Sequence, residues 1–286
     1  MFSTHLAHKS HLKIETLARG TIVINSLERS VHEEIETRIR LYDFSTGKQT
    51  FFQWQAGMLP SLPGKRVLEL GCGSGDVWTS LLPRWSNCEL TLTDISEEIL
   101  VVAQETLMPF SNLASSLKFV PLNFNELAAV VGPFDVIVAN HNLFYAQDID
   151  ALLASIAELL STNGVLICST VGQDHLHELA TLLRLQRNDL PWGAEQWATC
   201  FGLENGRALL QQQFSQVDQF EYDNSLHVNS VEPVMAYLLK TMKNGLADWV
   251  AEHYHEIRAA VSAAMVAKGY LRLTPHSGFF IAHKNR

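Results

Sequence analysis

A chain of 286 residues makes one large domain, or one and a half, and an apolar content of 47% suffices for a sizeable core. Its 21 Lys and Arg against 30 Asp and Glu give a net charge of −9 with no basic run, which argues against a phosphate-backbone partner. No apolar stretch reaches the roughly 18 residues of a membrane span, and no basic segment followed by an apolar run opens the chain. The four cysteines lack Cys-x-x-Cys spacing; reduced thiols and a cytoplasmic location are expected.

Residues 1–40 are polar and mixed, with an apolar patch at 21–25 and a helix predicted over 26–41 behind Ser26 as N-cap. A second short helix is predicted over 53–59, ahead of Pro60 and Pro63. Strands then follow at 66–70, 89–94, 117–122, 134–140 and 164–170. Ser96 and Asp148 read as N-caps of the intervening helices, with Glu97 and Glu98 where the helix dipole favours acids. Asn163-Gly164 reads as a tight return. This alternation argues a doubly wound α/β architecture, a parallel sheet with helices on both faces. Residues 173–213 interrupt it as an insertion expected to cap the ligand crevice, before strands at 217–222 and 277–283 and a helical stretch over 231–268, split near Asn244-Gly245.

The chemistry centres on Val67-Leu-Glu-Leu-Gly-Cys-Gly-Ser-Gly75, with Asp94 closing the next strand nineteen residues later. A buried strand that runs into a glycine turn lets a ligand lie against the backbone, and an acid at the next strand end can accept from ribose hydroxyls. Two ligand classes fit. A dinucleotide fingerprint wants a third glycine where Asp76 stands, and a pyrophosphate would be repelled by Asp76 and by the charge of Glu69. A sulfonium cofactor would be attracted by both acids.

The segment Glu69-Leu-Gly-Cys-Gly-Ser-Gly75 resembles the first motif of the class I S-adenosylmethionine (SAM)-dependent methyltransferases. Thr93-Asp94-Ile95-Ser96, Phe119-Val-Pro-Leu-Asn-Phe124, Phe134-Asp-Val-Ile-Val-Ala-Asn-His141 and Asn163-Gly-Val-Leu-Ile-Cys-Ser169 resemble its later motifs in order, over roughly residues 40–286. The branch with Ala-Asn-His-x-Leu-Tyr-His after strand four, whose members act on small molecules, is the nearest in pattern; here Tyr145 replaces its second His. The resemblance implies a Rossmann-like, mostly parallel seven-stranded sheet with the last strand antiparallel, a helical lid at 1–60 and a catalytic domain at 61–286. It implies SAM as cofactor, held by Tyr42, Glu69, Gly71, Cys72, Gly73, Asp94, Ile95, Asn123, Phe124 and Asn140. Asn123 stands where the family usually has Asp, its carbonyl accepting from the adenine amino group.

On the acceptor side the candidates are His141, Tyr145 and His175, with His141 a possible base at neutral pH. Phe51, Phe52, Trp54, Phe144, Trp192 and Trp197 are candidates for an apolar pocket. The reaction implied is methyl transfer to an oxygen or nitrogen of a small molecule. The alternatives are a nicotinamide-dependent oxidoreductase, for which no Tyr-x-x-x-Lys pair is found, and a non-catalytic SAM-binding regulator. A peptide acceptor stays open; the Asn-Pro-Pro-Tyr signature of amino-directed nucleic-acid methyltransferases is absent. The pairs His175/His177 and His253/His255 do not match the i,i+3 or i,i+4 spacing of ligands on one helix face, and the His5, His8, His11 triplet reads as a solvated helix face or a frayed arm, so no metal site is expected.

Overall fold

A computed structural model describes residue 37 and residues 40–241 and 245–284. The apolar patch at 21–25, most of the helix expected at 26–41, the histidine triplet and Asn244 lie outside the described residues. Leu41 belongs to a 3₁₀ turn, Arg40–Phe44.

Seven strands form one sheet: β1 (Arg66–Leu70), β2 (Glu89–Asp94), β3 (Ser116–Pro121), β4 (Phe134–Asn140), β5 (Leu160–Val171), β6 (Phe214–Tyr222) and β9 (Ser277–Lys284). Their order is β3-β2-β1-β4-β5-β9-β6, so the strand order reverses between β1 and β4. β9 runs antiparallel to both its neighbours; the β1–β2, β1–β4, β2–β3 and β4–β5 pairs are parallel. The C-terminal ends of β1, β2, β4 and β5 therefore meet at one edge, the place where open α/β sheets bind ligands.

The helices begin where their caps dictate. α1 (Phe51–Met58) opens with a capping box, Thr50 accepting from the Gln53 amide at 3.2 Å and Gln53 from that of Thr50 at 3.0 Å. α2 (Asp76–Leu81) follows the glycine turn. Ser96 caps α3 (Glu97–Leu107) and Asp148 caps α4 (Ile149–Leu159), as read from the sequence. The expected turn at Asn163-Gly164 does not form. β5 already begins at Leu160 and takes up the offset as a register shift against β4.

The insertion divides between two cores. Phe201, Leu203 and Leu210, around α7 (Gly206–Leu210), pack with the sheet residues Leu68, Ile137 and Phe280. Leu176 to Ala194, with α5 (His177–Arg184) and the start of α6 (Gly193–Phe201), contribute instead to a second core. That core joins them to Leu41, to α8 (Val231–Thr241), α9 (Leu246–Glu252) and α10 (Tyr254–Val266), and to a small antiparallel sheet absent from the sequence reading. That sheet pairs β7 (Leu226–Val228) with β8 (Leu271–Leu273), on either side of the three helices. Three-residue strands 43 residues apart carry too little periodicity to stand out in a sequence.

Candidate active site

The glycine turn leaves β1 with Gly71 at φ 66° and Gly73 at φ 54°, left-handed backbone that other residues adopt only under strain. The two glycines differ in what surrounds them. A Cβ on Gly71 would lie 2.5 Å from the Asn142 amide nitrogen, whereas one on Gly73 would meet no atom within 4 Å. Gly73 thus offers bare backbone to a ligand. The Gly73 N–H donates to Asp94 Oδ2 at 3.0 Å and the Ser96 N–H to Oδ1 at 3.0 Å. Each Asp94 oxygen is pinned by one backbone donor and keeps capacity for a hydroxyl. Ile95, beside it, is 74% exposed and presents an apolar surface at the same edge.

Glu69 corrects an expectation. It was read as added negative charge, yet it is buried, and desolvation pushes its pKa up to about 8, against the indole N–H of Trp78 that donates to Oε2. At neutral pH it is mostly a neutral acid. Cys72 is likewise buried and its thiol pKa raised by burial, so it is an inert lining group rather than a nucleophile.

Between the ends of β1, β4 and β5 lies a group of amides. Asn140 Oδ1 accepts from Ser169 Oγ at 2.9 Å and from Gln55 Nε2, on α1, at 2.9 Å. Asn142 donates to the Leu70 and Gly71 carbonyls, the latter at 3.3 Å. The Asn140 amide also bonds the Glu69 side chain, while two buried acceptors here, Gln55 Oε1 and Asn142 Oδ1, have no hydrogen-bond partner. Such atoms are rare in folded proteins and point to a polar ligand.

His141 follows Asn140 in left-handed backbone, φ 52°, its N–H held by Ser169 O at 3.0 Å and Oγ at 3.1 Å. A non-glycine residue kept in that conformation is a strained feature of the kind that clusters at functional sites. Its ring lies 4.8 Å from that of Phe51 and 6.3 Å from that of Phe52.

The family model described as "Methyltransferase domain" matches residues 68–166. The chain carries a class I, SAM-dependent methyltransferase domain. Malonyl-[acyl-carrier protein] O-methyltransferase of Magnetococcus marinus is 36% identical over 120 residues, 42% of this chain and 42% of that one. The chain therefore spans less than half the length of that relative. The protein of the same description from Acetivibrio thermocellus is 23% identical over 233 residues, covering 76% of this chain and 79% of its own. Among solved structures, the YcgJ protein of Bacillus subtilis superposes with a TM-score of 0.53 at 14% identity, covering 82% of this chain and 98% of that one, a likeness of fold.

The residues present fit the methyltransferase cofactor SAM. The bare backbone of Gly73, the pinned carboxylate of Asp94, exposed Ile95 and the two unpaired amide oxygens all lie at the ligand edge of the sheet. Asn123 departs from the sequence reading. Its carbonyl oxygen accepts from both the N–H and the Nδ2 of Asn125, at 3.1 and 3.3 Å, and its Nδ2 donates to Glu126 Oε1 at 3.0 Å, so the amide is engaged locally rather than held open for adenine. Phe124 packs against the sheet core and borders a cavity of about 130 Å³ that otherwise involves Asn125, Leu127 and α4.

The acceptor-side residues separate in the fold. Tyr145 is 50% exposed, edge-on to Phe144 at 4.7 Å, and Phe144 stacks on Trp197 at 5.2 Å. Trp192, expected to line a pocket, is instead fully buried, its indole N–H donating to the His175 carbonyl at 2.8 Å. His175 is buried too. Its Nδ1 faces the His276 carbonyl at 3.2 Å, which only an N–H satisfies, so Nε2 accepts from the Tyr42 hydroxyl at 3.0 Å. Burial drives its pKa down to about 3, against the pull of that carbonyl. Tyr42 and His175, assigned separately to cofactor and acceptor, are thus one hydrogen-bonded pair. Gln55 was missed altogether; its signal was a polar residue four positions after Phe51 on the same helix face. Among the described residues no cluster of three or more His, Cys, Asp or Glu could hold a metal ion, and no helix is long and apolar enough to cross a membrane.

Proposed function

We propose that the chain transfers a methyl group from SAM to an oxygen or nitrogen of a small molecule seated beside His141, with residues 1–60 as its lid and 61–286 as the catalytic domain. The observation that carries this reading is the left-handed His141, presented against Phe51 and Phe52 at the end of β4, next to the polar crevice. When bound, SAM supplies an electrophilic methyl carbon on a sulfonium. Asp94 accepts from ribose hydroxyls and Ile95 covers the base. His141 orients the acceptor atom and takes its proton, a contribution of about 10²–10⁴-fold where the acceptor is protonated at neutral pH. His175 is a positioning residue: neutral and doubly hydrogen-bonded, it holds the Tyr42 phenol rather than serving as a base. The net charge of −9 supports a small acceptor over a nucleic acid, and the O-methyltransferase relatives make oxygen the first acceptor atom to try.

Calorimetry with S-adenosylhomocysteine, followed by transfer from labelled SAM to a panel of phenols, carboxylates and amines, tests the reading. Heat of binding and a labelled product are expected. Binding without transfer to any of the panel would favour the regulatory alternative; heat with NAD and none with S-adenosylhomocysteine would favour the oxidoreductase.

A further inference from the structure

We infer that Gln55, on α1, is a cofactor-recognition residue: its buried amide, with that of Asn142, takes the α-ammonium at the amino-acid end of SAM. The inference rests on the SAM reading above and adds a residue from the lid to it.

Gln55 is 1% exposed, an uncommon setting for a glutamine side chain. One end of its amide is used, Nε2 donating to Asn140 Oδ1 at 2.9 Å, and the other, Oε1, has no partner. Asn140 is used at both ends, its Oδ1 taking two donors and its amide also bonding the Glu69 side chain. Exchanging nitrogen and oxygen in both amides together preserves their mutual bond and still leaves one atom of Gln55 unpaired. Asn142 cannot be turned, because its nitrogen faces two carbonyl oxygens, so Oδ1 is an unpaired acceptor in either case.

The group therefore presents two unpaired acceptors, Gln55 Oε1 and Asn142 Oδ1, at the same edge as the glycine turn. An α-ammonium donates three hydrogens and accepts none. It complements this pair, and an adenosyl group ending in a plain thioether does not. Because Gln55 belongs to α1 while Asn142 follows β4, a ligand that engages both ties the lid helix to the sheet.

Two probes separate recognition from mere packing: S-adenosylhomocysteine and 5′-methylthioadenosine, which lacks the amino acid end. Titrations of wild type and Gln55→Leu should show S-adenosylhomocysteine weakening about tenfold or more in the variant, with methylthioadenosine changed less than twofold. Equal weakening of both ligands, or unchanged S-adenosylhomocysteine binding, would overturn the inference and leave the SAM reading standing. A wild type that binds neither ligand overturns both. Should Gln55→Leu fail to fold, desamino-S-adenosylhomocysteine on the wild type decides: a clear loss of affinity relative to S-adenosylhomocysteine supports recognition of the amino-acid end, and equal affinity overturns it.

Discussion

Replacing Glu69 with Gln should change how stability depends on pH more than it changes stability itself. The Gln carbonyl can still accept from the Trp78 indole, so packing and hydrogen bonding are preserved. What is lost is a titrating group. Burial raises the folded pKa of Glu69 from 4.5 to about 8. Its contribution is complete below pH 4.5, where the acid is protonated in both states. It is lost as pH rises towards 8, because the unfolded chain releases a proton the folded chain keeps. The full difference is about 5 kcal/mol, at about 1.4 kcal/mol per pH unit. His175 works in the opposite sense. Its folded pKa of about 3 lies below the ordinary 6.5. Its contribution is complete above pH 6.5 and falls as pH drops towards 3. In the wild type the two slopes cancel between pH 4.5 and 6.5, and Glu69 alone then removes about 2 kcal/mol between 6.5 and 8. Urea denaturation of wild type and Glu69→Gln at half-unit steps from pH 4.5 to 8.5 isolates the Glu69 term, since His175 is common to both. The variant should gain on the wild type steadily across this range. Parallel curves would show that Glu69 is ionised in the folded protein and that the argument from burial fails.

The two glycines should fail differently. Gly73→Ala should keep the fold at a cost of about 1 kcal/mol for the left-handed backbone yet weaken S-adenosylhomocysteine binding, while Gly71→Ala should lower the melting temperature sharply because its Cβ meets Asn142; calorimetry and thermal melts separate the outcomes. His175→Asn should cost about 1–3 kcal/mol of stability by removing the buried imidazole acceptor of the Tyr42 hydroxyl without moving the pH profile of kcat, whereas His141→Asn should lower kcat with S-adenosylhomocysteine affinity within about twofold. An altered profile in the His175 variant would restore that residue as a base. Binding of S-adenosylhomocysteine at pH 7 should release a fraction of a proton as its ammonium approaches Glu69, visible when heats are compared in buffers of different ionisation enthalpy; identical heats would place the ammonium elsewhere.

Much of the fold was legible because it rests on local signals. All seven strands of the main sheet were read within a few residues of their observed bounds. β1, β4 and β9 stand out as short, mostly buried apolar runs, while β5 and β6 start four and three residues earlier than read, where polar residues such as Ser161, Ser215 and Gln216 blur the pattern. Ser96 and Asp148 were read as caps because that signal too is local. The start of α1 was set two residues late because Gln53 was taken as the helix start, not as the third residue of a box opened by Thr50. The second core escaped because it is assembled from pieces far apart in sequence. Leu41, Leu183, Leu226 and Ile257 share it, and nothing local in any of them announces the others.

The site divides along a different line. Residues whose role lies in backbone geometry, Gly71, Gly73 and Asp94, stand where their spacing placed them. Residues whose role depends on charge do not behave as their side chains suggest. Glu69 reads as an anion and His175 as a residue facing the acceptor, but in the fold burial makes the first a neutral acid and the second a neutral hydrogen-bond acceptor. Desolvation is a property of everything that surrounds a group, so no spacing rule reports it. The same holds for Gln55. Along the chain it is an ordinary polar residue on a short helix, and only the packing of α1 over the end of β4 buries its amide and leaves one of its atoms in need of a partner.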